Sequence, residues 1–276
     1  MNKILRFVLG ICMVLCIAST TSADDITRNV IAKIPEDISS CLIGIRVYQN
    51  MGYIMGSNGK YITVDLSTGD VTSYKLEAED ILDFDVVVGK IIYLGSDGKI
   101  GGHAFPSWPK GPFNACRIDA CDQGAILSGG ANAIFLAKTA TTTIEIPDMN
   151  ICLPIAKGLI WTMEYGQDKR WEASLYDCFG NLMSNIYKFG EQFQPTNIEI
   201  GPEGMEGEMV VSAIESNTRT LALVANNGRM FWKINGPDKV CVRDVAFDRD
   251  DHLVVLEEND KNEIQLTRLT FIIPEG

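Results

Sequence analysis

The chain has 276 residues, 46% of them apolar, which is enough material for a full-sized hydrophobic core. Its 36 acidic side chains outnumber 24 basic ones, and the resulting net charge of −12 repels phosphate backbones and anionic lipid surfaces. Nucleic-acid and membrane-surface binding are therefore disfavoured from the outset.

At the N-terminus, Lys3 and Arg6 precede an uncharged apolar stretch from Phe7 to Ala18. The small polar run Ser19-Thr20-Thr21-Ser22-Ala23 then leads into Asp24-Asp25. That order predicts a secretory signal peptide over residues 1–23, cleaved after Ala23. Twelve helical residues reach only about 18 Å, short of a hydrocarbon core roughly 30 Å thick. Cys16 raises the option of a lipid-modified N-terminus, but Leu15 stands where such a signal carries a small residue. A released periplasmic or extracellular protein is the expectation, with no membrane insertion after cleavage. It comprises one domain over 24–276, carrying 22 basic against 36 acidic side chains, a net −14.

Six cysteines remain in that domain: Cys41, Cys116, Cys121, Cys152, Cys178 and Cys241. In an oxidising compartment an even number points to disulfides, and six cysteines allow about fifteen full pairings. Cys116 and Cys121 read as one strand; their odd offset puts them on opposite faces about 17 Å apart, so they are not expected to pair with each other. There is no Cys-x-x-Cys, so disulfides or buried thiols are favoured over a metal site.

The strongest internal signal is a near-repeat. Tyr53-Ile54-Met55-Gly56-Ser57-Asn58-Gly59-Lys60 returns as Ile92-Tyr93-Leu94-Gly95-Ser96-Asp97-Gly98-Lys99. Upstream, Ile43, Ile45 and Val47 fall on Leu82, Phe84 and Val86 at the same offset of 39 residues. Asn-Gly and Asp-Gly between apolar runs predict hairpins, with type I′ turns that need positive φ at both central residues. Further hairpins are expected from Tyr61 to Tyr74 through Ser67-Thr68-Gly69-Asp70, and at Gly180-Asn181 and Asn226-Asn227-Gly228. A weaker one is expected through threonines 139–143 into Ile144-Glu145-Ile146.

Six units result, starting near Cys41, Asp80, Ala115, Met149, Pro195 and Val240. Each holds about four short strands, the size of one propeller blade. The expected fold is all-β, a β-propeller of six four-stranded blades of about 40 residues. A blade cannot bury both faces alone, so the ring must close, and the leftover segment Ile26 to Ile34 is expected to be the outer strand of the last blade. An open solenoid or sandwich is the competing architecture.

The hairpin Tyr61 to Tyr74, with its Val64-Asp65-Leu66-Ser67-Thr68-Gly69 turn, resembles the repeats of pyrroloquinoline-quinone-type propellers. Val242-Arg243-Asp244-Val245-Ala246-Phe247-Asp248 with His252-Leu253-Val254-Val255 is similar to units of six-bladed propellers, among them sugar-acid lactonases. The resemblance implies a fold and not an activity. No two cysteines are adjacent, so no quinone site is carried over and no cofactor is expected.

Gly-x-Ser-x-Gly, His-Glu-x-x-His and a phosphate-binding Gly-rich loop are all absent. His103 and His252 cannot make a three-histidine metal site. Asp248-Arg249-Asp250-Asp251 invites a calcium reading, but the flexible Gly of such a loop is missing and a plain β-turn is favoured. Two segments qualify as contact loops: Phe105 to Phe113, with Trp108 and three prolines, and Gly201 to Glu208, with Glu203 and Glu206.

The expected function is a binding scaffold for an envelope or extracellular protein partner or a small ligand. A metal-assisted hydrolase or lactonase is the alternative, and a structural envelope subunit a third reading. No catalytic or metal-binding residue is assigned.

Overall fold

The computed structural model describes residues 26–102, 115–121, 241–250 and 252–271 and, between 124 and 235, the strands given below. Among the described residues every element is a strand except one short helix, α1 (Glu36–Ser39), so the all-β expectation holds.

Consecutive strands form antiparallel meanders. The first sheet comprises β2 (Leu42–Tyr48), β3 (Met51–Gly56), β4 (Lys60–Asp65) and β5 (Val71–Lys75). The second has three strands among the described residues: β6 (Ile81–Val87), β7 (Lys90–Gly95) and β8 (Ile100–Gly102). The third contains β9 (Arg117–Cys121), β10 (Gly124–Gly129), β11 (Asn132–Ala137) and β12 (Thr141–Glu145). The fourth contains β13 (Ile155–Ala156), β14 (Leu159–Tyr165), β15 (Trp171–Asp177) and β16 (Leu182–Lys188). The fifth contains β17 (Phe193–Ile200), β18 (Met209–Glu215), β19 (Thr218–Val224) and β20 (Met230–Asn235). The last is built from β21 (Cys241–Phe247), β22 (Leu253–Glu258) and β23 (Ile264–Phe271), completed by β1 (Ile26–Lys33) from the other end of the chain. The repeat boundaries read from the sequence fall within six residues of these first strands. The hairpin expected through the threonines forms between β11 and β12, but its connection is shorter than residues 139–143, because Thr141 to Thr143 already lie in β12.

First strands of successive sheets lie side by side: β21 beside β2, β2 beside β6, β6 beside β9, and β17 beside β21. Period-two alternation makes this possible. In β3, Ile54 packs towards the last sheet with Val254 and Leu256, while its neighbour Met55 packs towards the second with Phe84 and Ile91. In β7, Ile91 faces the first sheet, whereas Ile92 and Leu94 join Ile118 and Leu127 of the third. Each fully buried residue of this type contributes about 1.5–3 kcal/mol.

The turns differ from the expected type I′ pattern. At Asn58-Gly59 and Asp97-Gly98 only the glycine takes positive φ, 76° at both Gly59 and Gly98. Asn58 and Asp97 instead turn their side chains onto the backbone N–H of Lys60 and Lys99, both at 3.0 Å. Gly59 N–H donates to Gly56 O at 3.1 Å, so these are three-residue turns ending in a left-handed glycine. Among the described residues, two-residue turns lie at Gln49-Asn50 and Val88-Gly89, joining the first two strands of their sheets. Val88 adopts φ 50° there, a costly conformation for a β-branched residue, and is 62% exposed. Val88→Asn is expected to stabilise the fold by about 1 kcal/mol, seen as a higher urea midpoint with an unchanged m-value.

Closure rests on more than the β1–β23 ladder, which runs from Ile26↔Phe271 to Lys33↔Gln265. Buried Glu257 on β22 accepts from Thr267 Oγ1 at 2.7 Å and Gln265 Nε2 at 3.1 Å on β23. It also pairs with Arg28 of β1 at 2.5 Å, so one carboxylate ties three strands. Glu257→Ala strands these donors and is expected to cost about 3 kcal/mol, read as a loss of urea midpoint.

Candidate functional site

The first strand of every sheet is also an edge strand, so one row of its N–H and C=O groups has no ladder partner. Among the described residues, three of these N–H groups are capped by carboxylates from the preceding sheet. Ile45 N–H of β2 donates to Asp244 Oδ2 of β21 at 2.8 Å. Ile118 N–H and Ala120 N–H of β9 donate to Asp83 Oδ2 at 3.0 Å and Asp85 Oδ2 at 2.7 Å, both of β6.

Asp83 and Asp244 hold the same register position, immediately after a bulge that skips one residue of β6 and of β21. The same bulge in β2 puts Gly44 at that position, and in β17 it puts Asn197 there. Gly44 has a steric reason: a Cβ on it would stand 2.1 Å from Asp244 Oδ2.

Arg46, two residues further along β2, bridges the acids of the two flanking sheets. Its Nη2 lies 2.9 Å from Asp83 Oδ1 and its Nη1 3.4 Å from Asp244 Oδ2. Its guanidinium carbon stands 5.2 Å from the centroid of the Phe84 ring, a cation–π contact. Burial pushes the Asp244 carboxyl above the usual range, opposed by Arg46, the Ile45 and Val245 N–H groups and Arg117. Burial raises Asp85 likewise, opposed by Arg46 and the N–H groups of Ala120 and Val86 and reinforced by Asp83.

Asp248, Asp250 and His252 bring three possible metal-ligand atoms within 4.8 Å of one another. The chemistry around Asp248 is nevertheless that of a turn. Its Oδ1 accepts from the N–H groups of Asp250 at 3.0 Å and His252 at 2.9 Å. Its Oδ2 lies 2.9 Å from Arg268 Nη2 and 3.2 Å from His252 Nδ1. A guanidinium already balances the carboxylate that a cation would need. Arg268 also donates to Leu66 O at 3.0 Å, tying this turn to the turn of the first sheet.

Phe105, Trp108, Phe113, Glu203, Glu206 and His103 all lie outside the described residues. Asp83, Asp85, Asp244 and Arg46 were not singled out by motif. The signal was present in the 39-residue offset, which sets Gly44 on Asp83 and Arg46 on Asp85 inside otherwise apolar strands.

No family model and no curated protein sequence matches the chain. Solved structures do. Streptogramin B lyase is similar with a TM-score of 0.54 at 12% identity, over 91% of this chain and 99% of that one. The WD40 β-propeller domain of Doa1 is similar with a TM-score of 0.55 at 12% identity, over 87% and 96%. The likeness shows fold alone: this chain is an all-β protein of four-stranded antiparallel sheets with the fold of a β-propeller.

The inner bonds generate a paired test. Asp244→Asn keeps an acceptor for Ile45 N–H and is expected to change stability by less than about 1.5 kcal/mol, whereas Asp244→Ala leaves that N–H buried and unpaired and is expected to cost about 2–4 kcal/mol. Urea denaturation of both variants measures the difference.

Proposed function

We propose that the six sheets are six blades of one ring, exported with residues 1–23 removed, and that this ring is a binding scaffold for an envelope or extracellular partner. One observation carries the reading: the inner carboxylates Asp83, Asp85 and Asp244 are engaged in joining one sheet to the next. A frame built that way is preorganised, and recognition falls to the loops that the blades hold in place. The apolar leader supports export, and so does the even number of cysteines that follows it, while Cys41 is a half-buried thiol.

The candidate contact residues are Phe105, Trp108 and Phe113 between β8 and β9, and Glu203 and Glu206 between β17 and β18. In-cell crosslinking of the tagged mature protein, followed by native purification and mass spectrometry, tests this. A single stoichiometric partner crosslinked through either segment is the expected result. A stoichiometric divalent ion with no partner overturns it in favour of the metal-assisted hydrolase or lactonase.

A further inference from the structure

The outer edge of the first sheet is β5, Val71 to Lys75, and all five of its residues are exposed. It pairs with β4 alone, in a ladder running from Lys60↔Lys75 to Val64↔Val71 without a bulge. Two bonds just beyond its ends fix which way its main-chain groups point. Asp65 N–H donates to Asp70 O at 3.0 Å, and Leu76 N–H donates to Gly59 O at 2.9 Å. Positions 70, 72, 74 and 76 therefore turn towards β4, and the N–H and C=O groups of Val71, Ser73 and Lys75 turn away from the sheet. The outer strand of the last sheet, β1, is broken by a bulge between Val30 and Ala32, and β8 has only three residues. Regular and longer, β5 carries neither defence against pairing.

Its side chains are laid out for a copy of itself. Val71 is 43% exposed and Tyr74 46%, and Tyr74 stacks on Tyr61 with ring centroids 5.0 Å apart. The β4–β5 hairpin is polarised, with Lys60 and Lys75 paired at one end and Asp65 and Asp70 joined at the other. Among the described residues Lys75 forms no ion pair. We propose that this edge is a self-association surface, on which two copies of the chain pair β5 with β5, antiparallel about a two-fold axis at Ser73. In that register Ser73 exchanges bonds with Ser73 of the second copy, and Val71 with Lys75 on either side, about six main-chain bonds in all. Charge sets the direction. Antiparallel pairing brings the lysine end of each hairpin beside the aspartate end of the other, whereas parallel pairing brings like ends together. It also lays each Val71 against the stem of a Lys75. The two Tyr74 rings take diagonal positions on one face and extend the tyrosine stack across the axis. The claim is independent of the scaffold reading, because the purified chain alone carries both halves of the contact.

Sedimentation equilibrium of the purified mature protein across the micromolar range reads the association, with far-UV circular dichroism as the check on folding. The expected result is a monomer–dimer equilibrium with a micromolar Kd, since each copy contributes a single strand. Position 71 faces Lys75 of the second copy in two symmetric pairs. Val71→Glu is therefore expected to tighten the dimer and Val71→Lys to loosen it, each by about fivefold at low salt. Ser73→Pro removes an N–H that β4 does not use and is expected to leave the protein monomeric. If the proline variant fails to fold, the two Val71 variants, which change only an exposed side chain, decide alone. A wild-type monomer at every concentration overturns the proposal and leaves the edge to a strand from another protein. A dimer that persists in a folded Ser73→Pro variant, or whose Kd the two Val71 variants do not move in opposite directions, overturns it as well.

Discussion

A strand at the inner edge of a ring has no neighbour to pair with, so the polar groups along it must be satisfied by side chains. Carboxylates from the preceding sheet do this here: Asp244 reaches Ile45 N–H, Asp83 reaches Ile118 N–H and Asp85 reaches Ala120 N–H. Each bond spans two sheets, so satisfying the edge and fixing the neighbouring sheet are one event. That coupling explains why acidic side chains are tolerated inside apolar strands. Their desolvation cost is offset only when the next strand is docked, so these charges specify the approach of one sheet to the next more than they add stability. Arg46 extends the same logic across the first sheet, where Gly44 leaves room for Asp244 and offers no carboxylate of its own.

Closure obeys a related constraint. Sheets that bury both faces cannot stop at an open end without exposing Val254, Leu256 and Leu266 on one side or Ile54 and Ile62 on the other. Pairing β1 with β23 joins the chain ends within one sheet and removes both exposed faces together. Glu257 strengthens that join because its oxygens collect donors from β23 and β1 while it sits on β22. The turn around Gly69 packs on the same strand, where a Cβ would stand 2.9 Å from Ile31 O. The closing strand is thus held along its ladder, through its side chains and from the adjoining sheet.

Much of this was legible in the sequence because it depends on local patterning. Alternating apolar residues, Gly-containing turns and a repeat near 39 residues are short-range properties, and they placed the strands and even the closing segment Ile26 to Ile34. The turn types were misread because an Asx side chain competes with its own backbone. Asn58 and Asp97 take the following N–H and stay out of the left-handed region, leaving positive φ to the glycine alone. The inner carboxylates were missed for the opposite reason. Asp244 and the Ile45 N–H it caps are 199 positions apart, and no motif spans that distance. Only aligning the repeats reveals that Gly44, Asp83 and Asp244 share one structural position.

That alignment also separates scaffold from function. A polar residue recurring at one register position in several sheets answers a need that every sheet has, namely the satisfaction of an inner edge. A residue serving one partner has no reason to recur, and is to be sought where the repeats diverge. Asp248 illustrates the distinction. Its cluster with Asp250 and His252 suggests a cation site in isolation, yet its oxygens close a turn and meet Arg268, which in turn holds Leu66 O of the next sheet. Two segments break the repeat in sequence, one around Trp108 and one around Glu203. On the scaffold reading proposed above, specificity in a ring of similar sheets would come from segments of that kind, because the shared positions are already committed to joining one sheet to the next.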